Sequence, residues 1–252
     1  MITIAIANQK GGVGKTTTAV TLAHGLSVKG KEVLLVDADP QGHCALFLGL
    51  TQEPGLFNLL VGEMPLRDVV RTTRRSRLWL LPGNKRSGTA ASVLGAEGAG
   101  IDTLRNALIG RIDGTRLDYV VIDTSPSVGG LQEMALYAAD YVVIPVAVDI
   151  ASIAGALQLT ETLKRLKAQS GWRGGIFRVV PTFHDEQTRE SRENLADLRR
   201  RFGEMVSDYV IHRATLLREC VAMGQTVFEM DPKSRAAEEY AMLVWEVLDG
   251  AR

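Results

Sequence analysis

Residues 8–17 read NQKGGVGKTT, and the run ITIAIA at residues 2–7 leads straight into them. An apolar strand, a glycine-rich turn and then a helical pattern form the context in which a chain cradles phosphates. Gly11, Gly12 and Gly14 let the backbone turn tightly and aim N–H groups inward at a polyanion. The helix expected over residues 16–29 starts with its positive dipole end at the same point. Lys15 is placed to reach the outer phosphates and Thr16 to ligate Mg²⁺ through its hydroxyl. Val13 and Thr17 complete the candidate nucleotide contacts. Two features depart from the pattern G-x-x-x-x-G-K-[ST]. Gln9 stands where the first glycine belongs, and a second lysine, Lys10, precedes the glycines.

Apolar runs recur along the chain at residues 2–7, 32–36, 78–81, 119–122, 141–147, 177–180 and 209–211. Most are continuous rather than alternating, as in strands covered on both faces of a parallel sheet. Helical spacing lies between them, over residues 16–29, 151–168, 187–202 and 234–248. This alternation predicts an α/β fold: a mostly parallel, twisted sheet with helices on both faces. Residues 82–100, rich in Gly, Ala and Ser, are expected to form a mobile surface loop with a short helix. No repeat or Pro/Ser-rich linker divides the chain, so residues 1–252 are expected to be one domain.

Two acidic elements follow strands. Residues 118–123 read DYVVID, and a strand ending in Asp is where such folds hold Mg²⁺, making Asp123 the candidate. Residues 32–41 read EVLLVDADPQ, and Pro40 stops the strand. Strand carboxyl ends line the ligand crevice of a parallel sheet. If the extended geometry persists, Asp37 and Asp39 share a face. Asp39 is then the candidate to orient or deprotonate an attacking water, and Asp37 to support the Mg²⁺ shell or the loop.

Bulk properties narrow the classes. The 252 residues carry 29 Lys and Arg against 29 Asp and Glu, so no whole-protein basic field exists and nucleic-acid contact requires a local patch. Cys44 and Cys220 form no C-x-x-C pair and read as buried thiols. The amino-terminal run lacks a basic flank and reads as a strand rather than a leader, and no apolar run approaches membrane-spanning length. A cytoplasmic protein is expected.

With KGGVGKTT, VDADPQG and YVVIDTSPS in place, the sequence resembles the ParA/MinD family of P-loop ATPases with a deviant phosphate loop. The likeness covers nearly the whole chain, including PTFHD at residues 181–185 and DPKSR at residues 231–235, and lies nearest the short partition ATPases. The resemblance implies ATP and Mg²⁺ as cofactors, and an ATP-dependent homodimer in which Lys10 reaches the phosphates held by the other subunit. It implies that Asp39 positions water and that Asp123 is the metal-side carboxylate. Pro181 and Thr182 are expected near the base. It further implies nonspecific binding of double-stranded DNA by the closed dimer, on the nucleoid, and release by a ParB-like activator.

The branches differ in their residues. Membrane-binding relatives need a basic amphipathic tail, whereas residues 236–252 carry only Arg252 as a cation, so no membrane contact is expected and the Leu/Val/Trp stripe should dock in the core. Iron–sulfur carriers need cluster cysteines that this sequence lacks. No helix-turn-helix module precedes the first strand, so operator binding is not expected. Arg189, Arg192, Arg213 and Arg218 are the DNA candidates, Arg213 resembling the family's I-P-R stretch. His212 replaces its proline, and Gln187 stands where many relatives carry arginine. The resemblance leaves three cargoes open: a plasmid, a chromosome or a protein assembly. An alternative from another class is a small-carboxylate ligase related to dethiobiotin synthetase.

Overall fold

A computed structural model describes residues 1–251 apart from 110, 113 and 128, with the backbone alone at 111; Arg252 lies outside these described residues. The chain opens with β1 (Ile2–Ile6), α1 (Lys15–Val28) and β2 (Val33–Ala38). Short helices α2 (His43–Phe47), α3 (Leu56–Leu60) and α4 (Leu66–Val69) lead to β3 (Arg71–Thr72) and β4 (Leu78–Leu81). Then come α5 (Ser87–Ala96), α6 (Thr103–Ala107), the hairpin β5 (Arg111–Ile112) and β6 (Thr115–Arg116), and β7 (Tyr119–Thr124). The second half runs α7 (Gly130–Ala138), β8 (Tyr141–Ala147), α8 (Ile150–Ser170), β9 (Gly175–His184) and α9 (Arg189–Phe202). It ends with β10 (Ile211–His212), α10 (Thr215–Met223), α11 (Val227–Met230) and α12 (Arg235–Gly250).

Eight strands form one sheet in the order β10-β9-β8-β1-β7-β2-β4-β3. Every pairing is parallel except β3 on β4, and both outermost strands are two residues long. The continuous apolar runs are explained by burial on both faces. Along β1, Ile4 and Ile6 pack with α1 and α12, while Ala5 and Ala7 face the opposite layer with α8 and α9. Leu34 and Val36 of β2 similarly turn away from Val33 and Leu35, toward a cluster holding residues of α3, α5 and α7. This period-2 division is the pleat acting on an all-apolar strand.

The structure adjusts several expected boundaries. β9 is longer than expected, and β10 begins at Ile211 because Tyr209 is already exposed. Residues 82–100 are not mainly loop. They contain the ten-residue α5, pinned by buried Ala90 and Leu94. α12 docks as expected, with Tyr240, Leu243, Val244 and Val247 buried. Its seat is close: a Cβ on Gly25 of α1 would lie 2.5 Å from Val244 Cγ2. Trp245 departs from the expected docked stripe. It is 47% exposed, with Lys29 Nζ 4.4 Å from its ring centroid, a cation–π contact at the surface. Among the described residues, no helix is long and apolar enough to cross a membrane.

Candidate nucleotide site

The sheet brings three strand ends together. Ile6 of β1 and Asp37 of β2 both stand in register with Asp123 of β7. The loop after β1 therefore crosses directly over the two carboxylates. Gly12 (φ 76°) and Gly14 (φ 88°) adopt the left-handed conformation that a side chain disfavours, and Gly14 caps the start of α1. These glycines turn the main chain so that α1 begins at the crevice.

The two lysines are placed differently. Lys15 is buried, and its Nζ donates to the Lys10 carbonyl at 2.9 Å. Burial lowers its pKa, while Asp123 and Asp39 oppose that shift. Lys10 itself is exposed, but its main chain is fixed. Its N–H donates to Asn8 Oδ1 at 3.0 Å, and Asn8, fully buried, donates to the Pro145 carbonyl at 2.8 Å. Gly155 of α8 presses on this turn: a Cβ there would sit 2.7 Å from Asn8 Oδ1 and 3.0 Å from Lys10 Cβ. Gln9 Nε2 reaches Thr162 Oγ1 of the same helix at 2.8 Å.

Behind the loop, Thr16 Oγ1 donates to Asp123 Oδ2 at 2.7 Å. Burial raises Asp123 to about 7, and its Oδ1 is buried with no hydrogen-bond partner. Asp37 is also fully buried, which, with Asp123 beside it, holds its carboxyl well above the usual range. Two backbone N–H groups support it, from Cys44 at 2.9 Å and Asp39 at 3.1 Å. The expected shared face of Asp37 and Asp39 is not formed. β2 ends at Ala38, and the Asp39 N–H folds back onto Asp37 Oδ1, leaving Asp39 half-buried at the crevice mouth. Desolvated carboxylates with an unpaired oxygen fit a hard divalent cation, so Thr16, Asp37 and Asp123 could hold Mg²⁺ directly or through water.

Beside the loop lies a cavity of about 370 Å³, lined by Gly12, Thr17, Phe183, Arg213, Ala214, Leu217, Arg218 and Val221. Its mixed apolar and cationic wall suits a nucleoside. Pro181 and Thr182, expected against the base, are not among its lining residues. Pro181 is buried in β9 opposite Val146, and the Thr182 hydroxyl donates to the Val13 carbonyl at 2.9 Å. Thr182 thus braces the loop, and Phe183 takes the place at the wall, held in an unusual left-handed conformation at φ 55°.

The four arginine candidates for DNA separate into two groups. Arg213 and Arg218 are exposed at the rim of this cavity. Arg189 and Arg192 project from the first turn of α9, where Arg189 pairs with Glu193 at 2.6 Å and Arg192 donates to the Glu186 carbonyl at 2.6 Å. Sequence reasoning missed Asn8, Gly155, Phe183 and Cys44. Cys44 is buried as expected, but its place beside the carboxylates was not foreseen: its Sγ lies 3.5 Å from Asp123 Oδ2. A buried polar residue directly after a strand was the only local signal for Asn8. The other three positions depend on elements distant in sequence.

The fold, the phosphate-cradling loop and the paired carboxylates define a P-loop nucleotide-binding protein. The family model described as AAA domain matches residues 1–172. Chromosome partitioning protein ParA of Caulobacter vibrioides is 35% identical over 252 residues, spanning 99% of this chain and 94% of that protein. Chromosome-partitioning ATPase Soj of Thermus thermophilus is 39% identical over 246 residues, spanning 97% and 94%. Among solved structures, an aspartate-to-alanine variant of Cyanothece McdA in complex with ATP superposes with a TM-score of 0.86 at 25% identity, covering 99% of this chain and 96% of that one. Cobyrinic acid a,c-diamide synthase from Mycobacterium smegmatis, with bound ATP analogue and magnesium, gives 0.83 at 28% identity, covering 100% and 97%. The chain belongs to the ParA/MinD family of P-loop ATPases.

Proposed function

We propose that this chain, acting as one domain over residues 1–252, is a DNA-partition ATPase that uses ATP and Mg²⁺. The contrast between its two lysines carries the reading. Lys15 is buried inside its own loop, whereas Lys10 has a fixed main chain and an exposed side chain. A cation presented outward from a rigid turn is suited to the phosphates of a second copy, where it stabilises charge that grows in the transition state. Bound nucleotide then governs whether two protomers close face to face.

Within each site, Gly11–Thr17 N–H groups and Lys15 hold the phosphates. Thr16 and Asp123, supported by Asp37, hold Mg²⁺, which neutralises phosphate charge when bound. Asp39 orients the attacking water and accepts its proton as the new bond to the γ-phosphorus forms and the bond to the bridging oxygen breaks. The closed dimer binds double-stranded DNA nonspecifically through Arg213 and Arg218, with Arg189 and Arg192 extending the patch. A ParB-like partner stimulates hydrolysis and releases the dimer from the nucleoid in the cytoplasm, so that repeated cycles move a plasmid or chromosome.

Asp39→Ala tests this reading. With ATP and Mg²⁺ it should elute as a persistent dimer that retains DNA, because only hydrolysis is lost. Normal turnover in that variant would remove Asp39 from its role. The likeness to the diamide synthase supports one rival, an enzyme that uses ATP to form an amide on a carboxylic acid substrate. ATP-driven dimerisation of the wild-type chain without any small substrate argues against that rival.

A further inference from the structure

We propose that Cys44 adds a sulfur donor to the metal side of this site, so that Asp37, Cys44 and Asp123 together bind a thiophilic divalent cation of the Zn²⁺ or Cd²⁺ class. The proposal rests on the reading of Asp123 as a metal-side carboxylate. One potential donor atom from each of the three residues lies within 4.8 Å of the others, and all three residues are 0% exposed. A tetrahedral cation with bonds of about 2.3 Å to sulfur and about 2.0–2.2 Å to oxygen requires only a modest contraction of that cluster. Beyond the cluster itself, Asp123 Oδ1, the oxygen also open to Mg²⁺, is buried and without any hydrogen-bond partner. Such an atom is costly to leave unpaired.

The surrounding main chain holds the donors in place. Gly42, left-handed at φ 67°, starts α2 and turns Cys44 toward the carboxylates. The Cys44 and Asp39 N–H groups each hold one oxygen of Asp37 while leaving it lone pairs for a metal. Thr16 Oγ1, on Asp123 Oδ2, or a water is available as fourth ligand. On binding, the Cys44 S–H bond breaks, its proton leaves to solvent and the sulfur–metal bond forms, with no change of oxidation state. Two carboxylates, one thiolate and a dication carry one net negative charge, which the nearby Lys15 ammonium balances. Mg²⁺ prefers an octahedral shell of oxygen donors and does not recruit the thiol. The sulfur therefore biases this one position toward softer ions, which would compete with Mg²⁺ at Asp123.

The test is a CdCl₂ titration of the nucleotide-free, full-length chain, following the ultraviolet thiolate-to-cadmium charge-transfer band. One equivalent per chain should produce the band. It should vanish in Cys44→Ser and Cys44→Ala and persist in Cys220→Ala. Losing one donor should weaken Cd²⁺ affinity by about 100-fold or more, since even outer-shell changes cost about 10–100-fold. Absence of the band in the wild-type chain, its survival without Cys44 or its loss in Cys220→Ala would overturn the proposal. ATP–Mg²⁺ dimerisation of the same wild-type sample is read in parallel. Its failure would count against the partition reading and leave the cadmium result standing.

Discussion

At the scale of single residues, position rather than charge separates Lys10 from Lys15. Lys15 Nζ lies on a carbonyl of its own loop, and Lys10 projects to solvent from a turn held by Asn8. Lys10→Ala should therefore leave ATP affinity of the monomer within a few-fold of wild type. Dimer formation and turnover should fall by tenfold or more, with the factor of about 10³–10⁵ that an arginine supplied in trans contributes as the upper bound. Equilibrium nucleotide binding and sizing chromatography measure the two effects separately. The motif made Lys15, Thr16 and Asp123 legible because their roles follow from a fixed local spacing. Asp37 and Asp39 were half legible: the pair was visible, but the fold-back of the Asp39 N–H onto Asp37 was not. Cys44 was not legible, because its meaning comes from a strand 79 positions away in the chain.

At the scale of elements, α8 is the support for the Lys10 turn. Its Gly155 leaves no room for a methyl group beside Asn8 and Lys10. Gly155→Ala should cost about 1–3 kcal/mol by overpacking, read from the denaturation midpoint, and should impair nucleotide-dependent dimerisation more than monomer nucleotide affinity. Arg213 of the β10–α10 connection and Arg218 of α10 stand at the cavity rim, while α9 carries Arg189 and Arg192 away from it. Arg213→Glu should accordingly weaken both DNA retention and nucleotide affinity, whereas Arg189→Glu should weaken DNA retention alone. Filter binding and nucleotide titration distinguish these outcomes. The long elements were readable from periodicity, since α1, α8, α9 and α12 each run 14 residues or more. Helices of four or five residues, such as α2, α3, α4 and α6, complete barely one turn and leave no periodic signature. α7 escaped notice for a different reason: Leu131, Gln132, Met134, Ala135 and Leu136 are all buried, which blurs its polar face.

For the whole molecule, a formal net charge of +0 means that DNA affinity comes from a few local cations. Its logarithm should fall with that of salt concentration at a slope near 0.9 per phosphate contacted, and a flat profile would argue against backbone contacts. Stability should also depend on pH. His24 is buried against Thr226 Oγ1 at 2.6 Å, and burial lowers its pKa, with Glu229 opposing and Arg75 assisting. Burial lowers His184 in the same sense. Unfolded histidine binds a proton near pH 6.5, which the folded site resists. This stabilisation is present above that pH and is lost as pH falls through the lower folded values. Asp37 and Asp123, whose folded carboxyls are raised, contribute with the opposite sign over the same range, so the test isolates His24: the melting-temperature advantage of wild type over His24→Gln should shrink from pH 7 to pH 5, by thermal denaturation at constant ionic strength. The sheet itself ends on two-residue strands, Arg71–Thr72 at one border and Ile211–His212, with its register shift, at the other. So few free ladder groups make a poor template for amyloid-like stacking. At the high local concentrations of a crowded surface, copies of this chain can meet through their side chains without fusing their backbones.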